Sequence, residues 1–308
     1  MTWQLCLLLI WIGFSGAWLT HAAVLDAHSA ASLQASYTRL GERLHHSPFQ
    51  QALVLDSSES PNDLEGDVYA LVKYPFATVS VAFNSPEHWC DVLILPINTK
   101  YCHATHNAGT TLLMVNIGKK TPQPVDDAYP IEFLYRVAAA TPNYLEIQLS
   151  AGQGPLGTRN YLIQLQAIPV GKNQTFLHLV YTFSYGSPGR LAMQTYLATV
   201  GSGKVGFTLT GNQTDGQPDY IDGMRGLMER NAMRYYLAIN AYLDSLSTPP
   251  PMQLQNRLRS WFDGSEQFPR QLHEIDRAAY ISMKNSEYLR QQTVHLRGTR
   301  SVLEKSLW

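Results

Sequence analysis

Residues 222–246, DGMRGLMERNAMRYYLAINAYLDSL, carry the strongest amphipathic helix pattern of the chain. Asp222 belongs to the residue types that cap the first turn of a helix. Apolar side chains then recur every three or four residues, which places them on one helix face. They are Met224, Met228, Ala232, Tyr235, Ile239, Tyr242 and Leu246. The stretch therefore predicts one long helix with a core-facing side.

The segment before this helix is dominated by alternation of apolar and polar residues, which is typical of strands with one buried face. Glycine or Pro-Asn turns separate the runs. The strand candidates are 110–117, 131–138, 144–149, 159–168 and 175–185. A run of antiparallel strands followed by one long helix indicates an α+β fold with a single core.

Alternation also assigns faces, because successive side chains of a strand point to opposite sides of the sheet. In 175–185 the core face carries Leu177, Leu179, Tyr181, Phe183 and Tyr185. In 159–168 it carries Tyr161, Ile163, Leu165 and Ala167, and Arg159 falls in register with them. A charge on that face needs a partner or an opening to water. Arg159 is thus either an anchor for an anionic ligand or a strand-end residue that extends into solvent.

The flanking segments predict further elements. Residues 28–45 carry one apolar helical face, and a serine followed by a proline, at 85–86 and at 187–188, is typical of a helix start. The runs 67–73 and 204–210 predict strands, whereas the polar stretch 56–63 predicts a loop. The run 76–83 stays open between helix and strand.

The proline run at 249–251 predicts a semi-rigid spacer. Beyond it, 254–262 and 269–292 predict polar helices that wrap the main domain or bind a protein partner. The predicted division is a leader at 1–22, an N-terminal helix and loop at 23–64, a main domain at 65–247 and a C-terminal extension at 248–308.

The amino terminus predicts export. Residues 5–12, LCLLLIWI, are apolar, and small residues lead to Ala22 and Ala23, which suits cleavage after Ala22 by a signal peptidase. The leader has no Lys or Arg before its apolar core, so an uncleaved anchor stays open. No later stretch has the roughly 18 apolar residues of a membrane helix. The predicted location is the periplasm for a Gram-negative source and the extracellular space otherwise.

The chain has three cysteines, and the loss of Cys6 with the leader leaves Cys90 and Cys102. In an oxidising compartment such a pair predicts a disulfide. The alternative is a zinc site in which both cysteines act with His103 and His106, although the spacing matches no common zinc pattern.

Composition and motifs exclude several classes. A net charge of −1, without a basic stripe, argues against a nucleic-acid binder. The sequence contains no nucleophile elbow, phosphate loop, dinucleotide fingerprint or His-Glu-x-x-His motif. We therefore predict no metal, no cofactor and no assignable catalytic residue.

The order of elements resembles the helix-grip fold of the START-like superfamily, which contains lipid-transfer proteins and polyketide cyclases. The resemblance covers about residues 65–246, and its opening is DVYALVKYPF at 67–76 followed by SPEHW at 85–89. The inserted helix near 188–200 and the cysteine pair depart from the family. The resemblance implies a curved antiparallel sheet that wraps the last helix, with a cavity for a lipid, sterol or polyketide between them.

The leading hypothesis is a binding protein for an apolar or amphiphilic small molecule. Its predicted ligand-binding residues are Arg159, Tyr161, Tyr181, Phe183, Tyr185, Met228, Tyr235 and Ile239. The same side chains can instead pack together as a filled core. Two alternatives stay open: an enzyme of cyclase or hydrolase type that uses Arg159 or Tyr235, and a structural or assembly protein of the cell envelope.

Overall fold

The computed structural model describes residues 28–199, 201–212 and 216–305, so the predicted leader lies outside the described residues. The helices are α1 Ala30–Arg39, α2 Gly41–His45, α3 Phe76–Phe83, α4 Pro86–Leu93, α5 Ser187–Ala198, α6 Gly223–Ser245, α7 Pro250–Glu266, α8 Pro269–Leu272 and α9 Arg277–Lys305. None of these described helices combines the length and apolarity that crossing a membrane requires.

Eight strands form one antiparallel sheet in the order β1-β2-β8-β7-β6-β5-β4-β3. They are β1 Leu53–Glu59, β2 Asp63–Val72, β3 Thr99–Asn107, β4 Thr110–Ile117, β5 Tyr129–Thr141, β6 Tyr144–Gln153, β7 Thr158–Val170 and β8 Gln174–Tyr185. A separate pair, β9 Leu209–Asn212 and β10 Pro218–Tyr220, precedes α6. The five strand predictions 110–117 to 175–185 are confirmed, and β3 had not been predicted.

The long helix α6 lies on the inner face of the sheet, against β1, β2 and β8. Gly66 of β2 permits this close approach, because a Cβ atom there would lie 3.0 Å from Met228 Cγ and 3.1 Å from Ala232 Cβ. The outer face carries α1 and α2 over a smaller apolar cluster that includes Leu33 and Phe176. An antiparallel sheet packed around a long helix is the helix-grip arrangement, so the predicted α+β fold class is confirmed.

The side of α6 that faces away from the sheet is covered by α7. Trp261 Nε1 donates to the backbone oxygen of Arg234, and Arg257 Nε donates to Ser245 Oγ. Glu229 of α6 is also fully buried, and its carboxylate accepts hydrogen bonds from residues 207 and 208 and from Ser57 of β1. The prolines expected to form a spacer instead begin α7, because proline fits the first helical turn, where its missing N–H leaves no bond unmade.

Two local predictions are wrong. Residues 56–59 continue β1 and pair with β2, so that only 60–62 form the turn expected over 56–63. The outer half of this edge strand is solvent-exposed, which explains its polar sequence. Residues 204–208 lie outside any strand, and extended pairing begins only at Leu209.

A disulfide between Cys90 and Cys102 joins α4 to β3, with a Cα–Cα distance of 5.1 Å. The predicted disulfide is confirmed, and it occupies both thiols that the alternative zinc site requires. Beside it, α9 covers β3, the edge strand of the sheet. Gln291 Oε1 accepts a hydrogen bond from the backbone N–H of Cys102 at 3.1 Å.

Candidate functional site

The inner face of the sheet carries a group of aromatic side chains below α6. Tyr161, Tyr181 and Phe183 are each less than a tenth exposed, as the alternation of β7 and β8 predicts. The rings of Tyr161 and Phe183 stack with centroids 5.3 Å apart, and that of Tyr181 lies 5.8 Å from Phe183. Strand pairing therefore places the three rings side by side.

Helix α6 completes this group with Tyr235, whose ring centroid lies 5.0 Å from that of Tyr181. The hydroxyl groups of these two tyrosines are hydrogen-bonded to each other. Tyr235 is half-buried, whereas the other three rings are buried. We call Tyr161, Tyr181, Phe183 and Tyr235 the aromatic cluster.

The other predicted inner-face residues lie around the aromatic cluster. Met228 is buried over Gly66, and Ile239 is buried in the same apolar core. Tyr185 lies at the end of β8, where its hydroxyl donates to Glu59 Oε1 at 3.2 Å. Tyr185 is thus close to a charged group at the sheet rim.

Burial raises the pKa values of all three tyrosines in the aromatic cluster. For Tyr161 the pKa rises to about 12, although the hydrogen bond between its hydroxyl and Thr158 Oγ1, 2.6 Å long, opposes the rise. These phenols therefore stay neutral near pH 7 and serve as hydrogen-bonding groups in apolar surroundings. A phenolate base at Tyr235 is disfavoured for the same reason.

Arg159 lies on the outer face of the sheet and not beside Tyr161. It pairs with Ser184, and the pairing register of β7 shifts between Arg159 and Leu162. Asn160, with a φ of 53°, forms the bulge that adds one residue and reverses the alternation. Arg159 is exposed, so the register on which its role as an anchor depended is wrong.

The structure instead brings four other cationic side chains together, which we call the cationic cluster: Lys120, Lys204, Arg230 and Arg234. Lys120 Nζ and Arg234 Nη2 lie 2.7 Å and 2.6 Å from Glu274 Oε1. The sequence did not reveal this cluster, because its four residues come from three segments that are far apart in the chain. The spacing of Arg230 and Arg234, one helical turn apart, was the available signal.

Arg230 and Lys204 lie close to this pair. Arg230 Nη1 donates to the backbone oxygen of Val205 at 3.2 Å, and Lys204 Nζ donates to the backbone oxygen of His273. Burial, followed by the charge of Arg234, lowers the pKa of Arg230 to about 10. Burial also lowers the pKa of Lys204, and the other three cations lower it further. The four positive charges therefore act on one another.

A polar chain runs over the outer face of the sheet. Asp67 Oδ1 lies 2.7 Å from His178 Nε2, and His178 Nδ1 lies 3.0 Å from Gln166 Oε1. Gln166 Nε2 donates to the Tyr144 hydroxyl at 2.9 Å, which donates to Glu146 Oε2 at 2.7 Å. These bonds join β2, β8, β7 and β6, so His178 is a sheet residue with partners on both ring nitrogens.

Three surface clefts lie near β1 or on the outer face. The first, of about 540 Å³, lies between α1, α2 and the sheet and is lined by Tyr37, His45 and Leu71, among others. The second, of about 490 Å³, lies across β1 and includes Phe49 and Phe207. The third, of about 180 Å³, lies beside Ser184. Of the aromatic cluster, only Phe183 contributes to one of these three clefts, the third.

No protein-family model matches the chain, and no curated protein matches it in sequence. Among solved structures it is similar to norcoclaurine synthase from Thalictrum flavum in complex with dopamine and hydroxybenzaldehyde, with 12% identity, a TM-score of 0.33 and coverage of 48% of this chain and 89% of that chain. The Zhui aromatase/cyclase from Streptomyces sp. R1128 has 10% identity, a TM-score of 0.30 and coverage of 69% and 99%. Human StAR-related lipid transfer protein 5 has 8% identity, a TM-score of 0.30 and coverage of 56% and 91%.

A cyclase and a lipid-transfer protein are among the similar structures. Identities and TM-scores this low give no evidence on the ligand or activity of this chain. Its helix-grip fold follows from its own strand order and from the position of α6 on the inner face of the sheet.

Proposed function

We propose that the chain is an exported protein that binds an apolar or amphiphilic small molecule between the inner face of the sheet and α6. The aromatic cluster is the observation that supports this proposal. Its rings offer a broad apolar surface, while its phenols supply a few hydrogen-bonding groups within it. That combination is typical of small-molecule sites.

The four rings pack against one another, so a ligand has to separate them. Tyr235 is the ring with the most exposure to solvent and joins the cluster from the helix side. Movement of Tyr235 away from Tyr181 opens the cluster and releases both hydroxyl groups. The hydroxyl group of Tyr181 is then available to a carbonyl or hydroxyl group of the ligand.

The same geometry favours binding over catalysis. The raised pKa values keep the phenols protonated, so they polarise or orient a ligand but do not remove a proton from it. The alternative assembly role has no comparable support from the cluster. Helices α7 and α9, expected either to wrap the domain or to bind a partner, are packed against the core through Trp261 and Tyr280.

Native mass spectrometry of the purified protein, followed by organic extraction, tests the binding proposal. We expect a co-purifying lipid-like molecule, or saturable binding of a fluorescent apolar probe to the stripped protein. Tyr181→Phe should weaken probe binding several-fold by removing one hydroxyl group, whereas Tyr129→Phe, at an exposed position, should not. A protein that carries no ligand and binds no apolar probe contradicts the proposal.

Intact mass of the protein recovered from the exported fraction tests the export proposal. We expect a chain that begins at Ala23, with the Cys90–Cys102 disulfide intact. A chain that retains residues 1–22 in a membrane fraction contradicts cleavage, and a full-length chain confined to the cytoplasm contradicts export.

A further inference from the structure

We propose that the cationic cluster binds the anionic head group of an amphiphilic ligand whose apolar part lies against the aromatic cluster. The head group is a carboxylate or a phosphate, since both are anions that arginine and lysine bind. This inference rests on the proposed function. It also moves the anchoring role from Arg159 to a different part of the fold.

The two clusters are neighbours on α6. Arg234 precedes Tyr235 in the helix, and each of these two side chains shifts the pKa of the other. The aromatic ring of Tyr196 on α5 lies 5.9 Å from Lys120 Nζ, and Tyr196 also shifts the pKa of Arg234. A molecule that touches Tyr235 with its apolar part therefore lies next to the part of α6 that carries Arg234.

The cluster has an excess of positive charge. Lys120, Lys204, Arg230 and Arg234 contribute four positive charges, and the carboxylates that act on them are Glu274 and Glu229. Four minus two leaves a formal excess of two. Glu229 is already engaged, because it accepts hydrogen bonds from the backbone N–H groups of residues 207 and 208 and from two hydroxyl groups.

The cluster contains two buried guanidinium groups, and that of Arg234 has a buried donor without a partner. The Arg234 side chain is 8% exposed, and its Nε atom has no hydrogen-bond partner among the described residues. Arg230 is 2% exposed, and within the described part of the chain no carboxylate lies within ion-pair distance of it. A buried charged donor without a partner is costly, and an anion that accepts a hydrogen bond from Arg234 Nε removes that cost. The same anion supplies the opposite charge that Arg230 lacks.

Access is provided by the lysine side of the cluster. The side chains of Lys120 and Glu274 are 25% and 12% exposed, and Lys204 is half-buried. The two lysines thus lie at the solvent-facing side of the cluster, which we call its mouth, and the two arginines are buried behind them. A head group that enters past the lysines meets planar guanidinium groups, which bind a carboxylate or phosphate through paired hydrogen bonds.

The test compares three dansyl-labelled probes of equal chain length: a fatty acid, an alkyl phosphate and the uncharged alcohol. Each is titrated into the stripped parent, the double variant Lys120→Gln/Lys204→Gln and the control Lys119→Gln. Lys119 is exposed and adjacent to Lys120 but outside the cluster. Melting temperatures are measured for all three proteins, because the mouth lysines also contact Glu274 and a backbone oxygen.

We expect the parent to bind at least one anionic probe about tenfold more tightly than the alcohol. The double variant should lose that preference and keep the affinity for the alcohol, while Lys119→Gln behaves like the parent. The tighter of the two anionic probes identifies the head group as a carboxylate or a phosphate. A salt titration should weaken binding of the anionic probe and leave binding of the alcohol unchanged.

Two outcomes overturn the inference and are distinguishable. If the parent binds the acid, the phosphate and the alcohol equally, or if the double variant keeps the preference for the anion, the cationic cluster is no head-group site and the proposed apolar binding stands. If no probe binds the parent, the proposed function fails, and this inference fails with it. Should the double variant unfold, Lys204→Gln alone is measured against Lys119→Gln, and an unchanged preference for the anion in Lys204→Gln overturns the inference.

Discussion

Two lysines share one carboxylate in the interior next to β3. Lys100 Nζ lies 3.0 Å from Glu287 Oε1, and Lys284 Nζ lies 2.6 Å from Glu287 Oε2. All three side chains are at most 1% exposed. Lys284 also donates to the backbone oxygen of Thr99 at 2.6 Å. Glu287 therefore neutralises only one of the two lysine charges, and backbone oxygens are the remaining partners of the other. Burial lowers the pKa of Lys284 to about 8.

The low pKa of Lys284 predicts a stability that rises with pH. Above about pH 8 the folded protein releases a proton that the unfolded chain keeps up to its usual pKa near 10.5. The free energy of unfolding should therefore increase by up to about 1 kcal/mol per pH unit from about pH 8 to about pH 9.5, before tyrosines ionise in the unfolded chain. Urea unfolding at several pH values measures it.

Lys284→Met should flatten this rise, because the remaining Lys100 is matched one to one by Glu287. The exposed Lys73→Met is the control and should keep the parental slope. A parental slope of zero, or an equal slope in Lys284→Met, shows that Lys284 does not titrate in this range.

At the residue scale, the sequence correctly predicted the face of the sheet on which a side chain lies wherever apolar and polar residues alternate strictly. Tyr181, Phe183 and Tyr161 lie on the inner face as expected. Arg159 does not, because a single extra residue at Asn160 reverses the side on which every earlier side chain of the strand lies. Such a bulge leaves no reliable mark in one sequence, since Asn is also common in turns.

At the scale of elements, α6 is the helix on which the fold depends, and Ile239 is one of its buried residues, at 1% exposed. Ile239→Asp places an unpaired carboxylate in the core, which costs several kcal/mol. We expect the variant to be unfolded, or to melt far below the parent, by circular dichroism. The matched control is Val81→Asp on α3, where the side chain is 73% exposed and the cost should be small. A variant at 239 that melts like the parent would place this helix face in solvent.

The elements also show why some segments could not be predicted. Helix α6 followed from its periodicity, but its outer side is buried under α7, which the polar sequence of that side concealed. The edge strand β1 is half exposed, so its polar residues at 56–59 resembled a loop. The prolines at 249–251 start α7, and their sequence suits a spacer and a first helical turn equally.

At the scale of the whole molecule, the C-terminal helices complete the domain. Tyr280 and Met283 of α9 belong to the main core, and the Tyr280 hydroxyl donates to the backbone oxygen of Leu95 at 2.9 Å. Gln291 bonds the backbone of β3 directly. Strand β3 is an edge strand, and an uncovered edge presents unpaired N–H and C=O groups to other chains.

Deletion of residues 277–308 should therefore lower the unfolding midpoint and cause self-association. The deletion removes the carboxylate partner of Lys100 and the cover of β3. Size-exclusion chromatography with light scattering measures the association. A deletion of 293–308 is the control, because the contacts of residues 280–291 with β3 and the loop before it remain. A monomeric, equally stable protein after the longer deletion would show that α9 is dispensable.

The pairing of Lys100 with Glu287 also has a consequence for biosynthesis. The two residues are 187 positions apart, and Gln291 is made 189 residues after Cys102. During translation the residues of β3 are therefore made long before the segment that shields this edge exists. Such uncovered edges and unneutralised interior charges are where nascent chains aggregate or bind chaperones. We therefore expect the chain to be most prone to misassociation until synthesis has passed residue 291, even when the sheet has already formed.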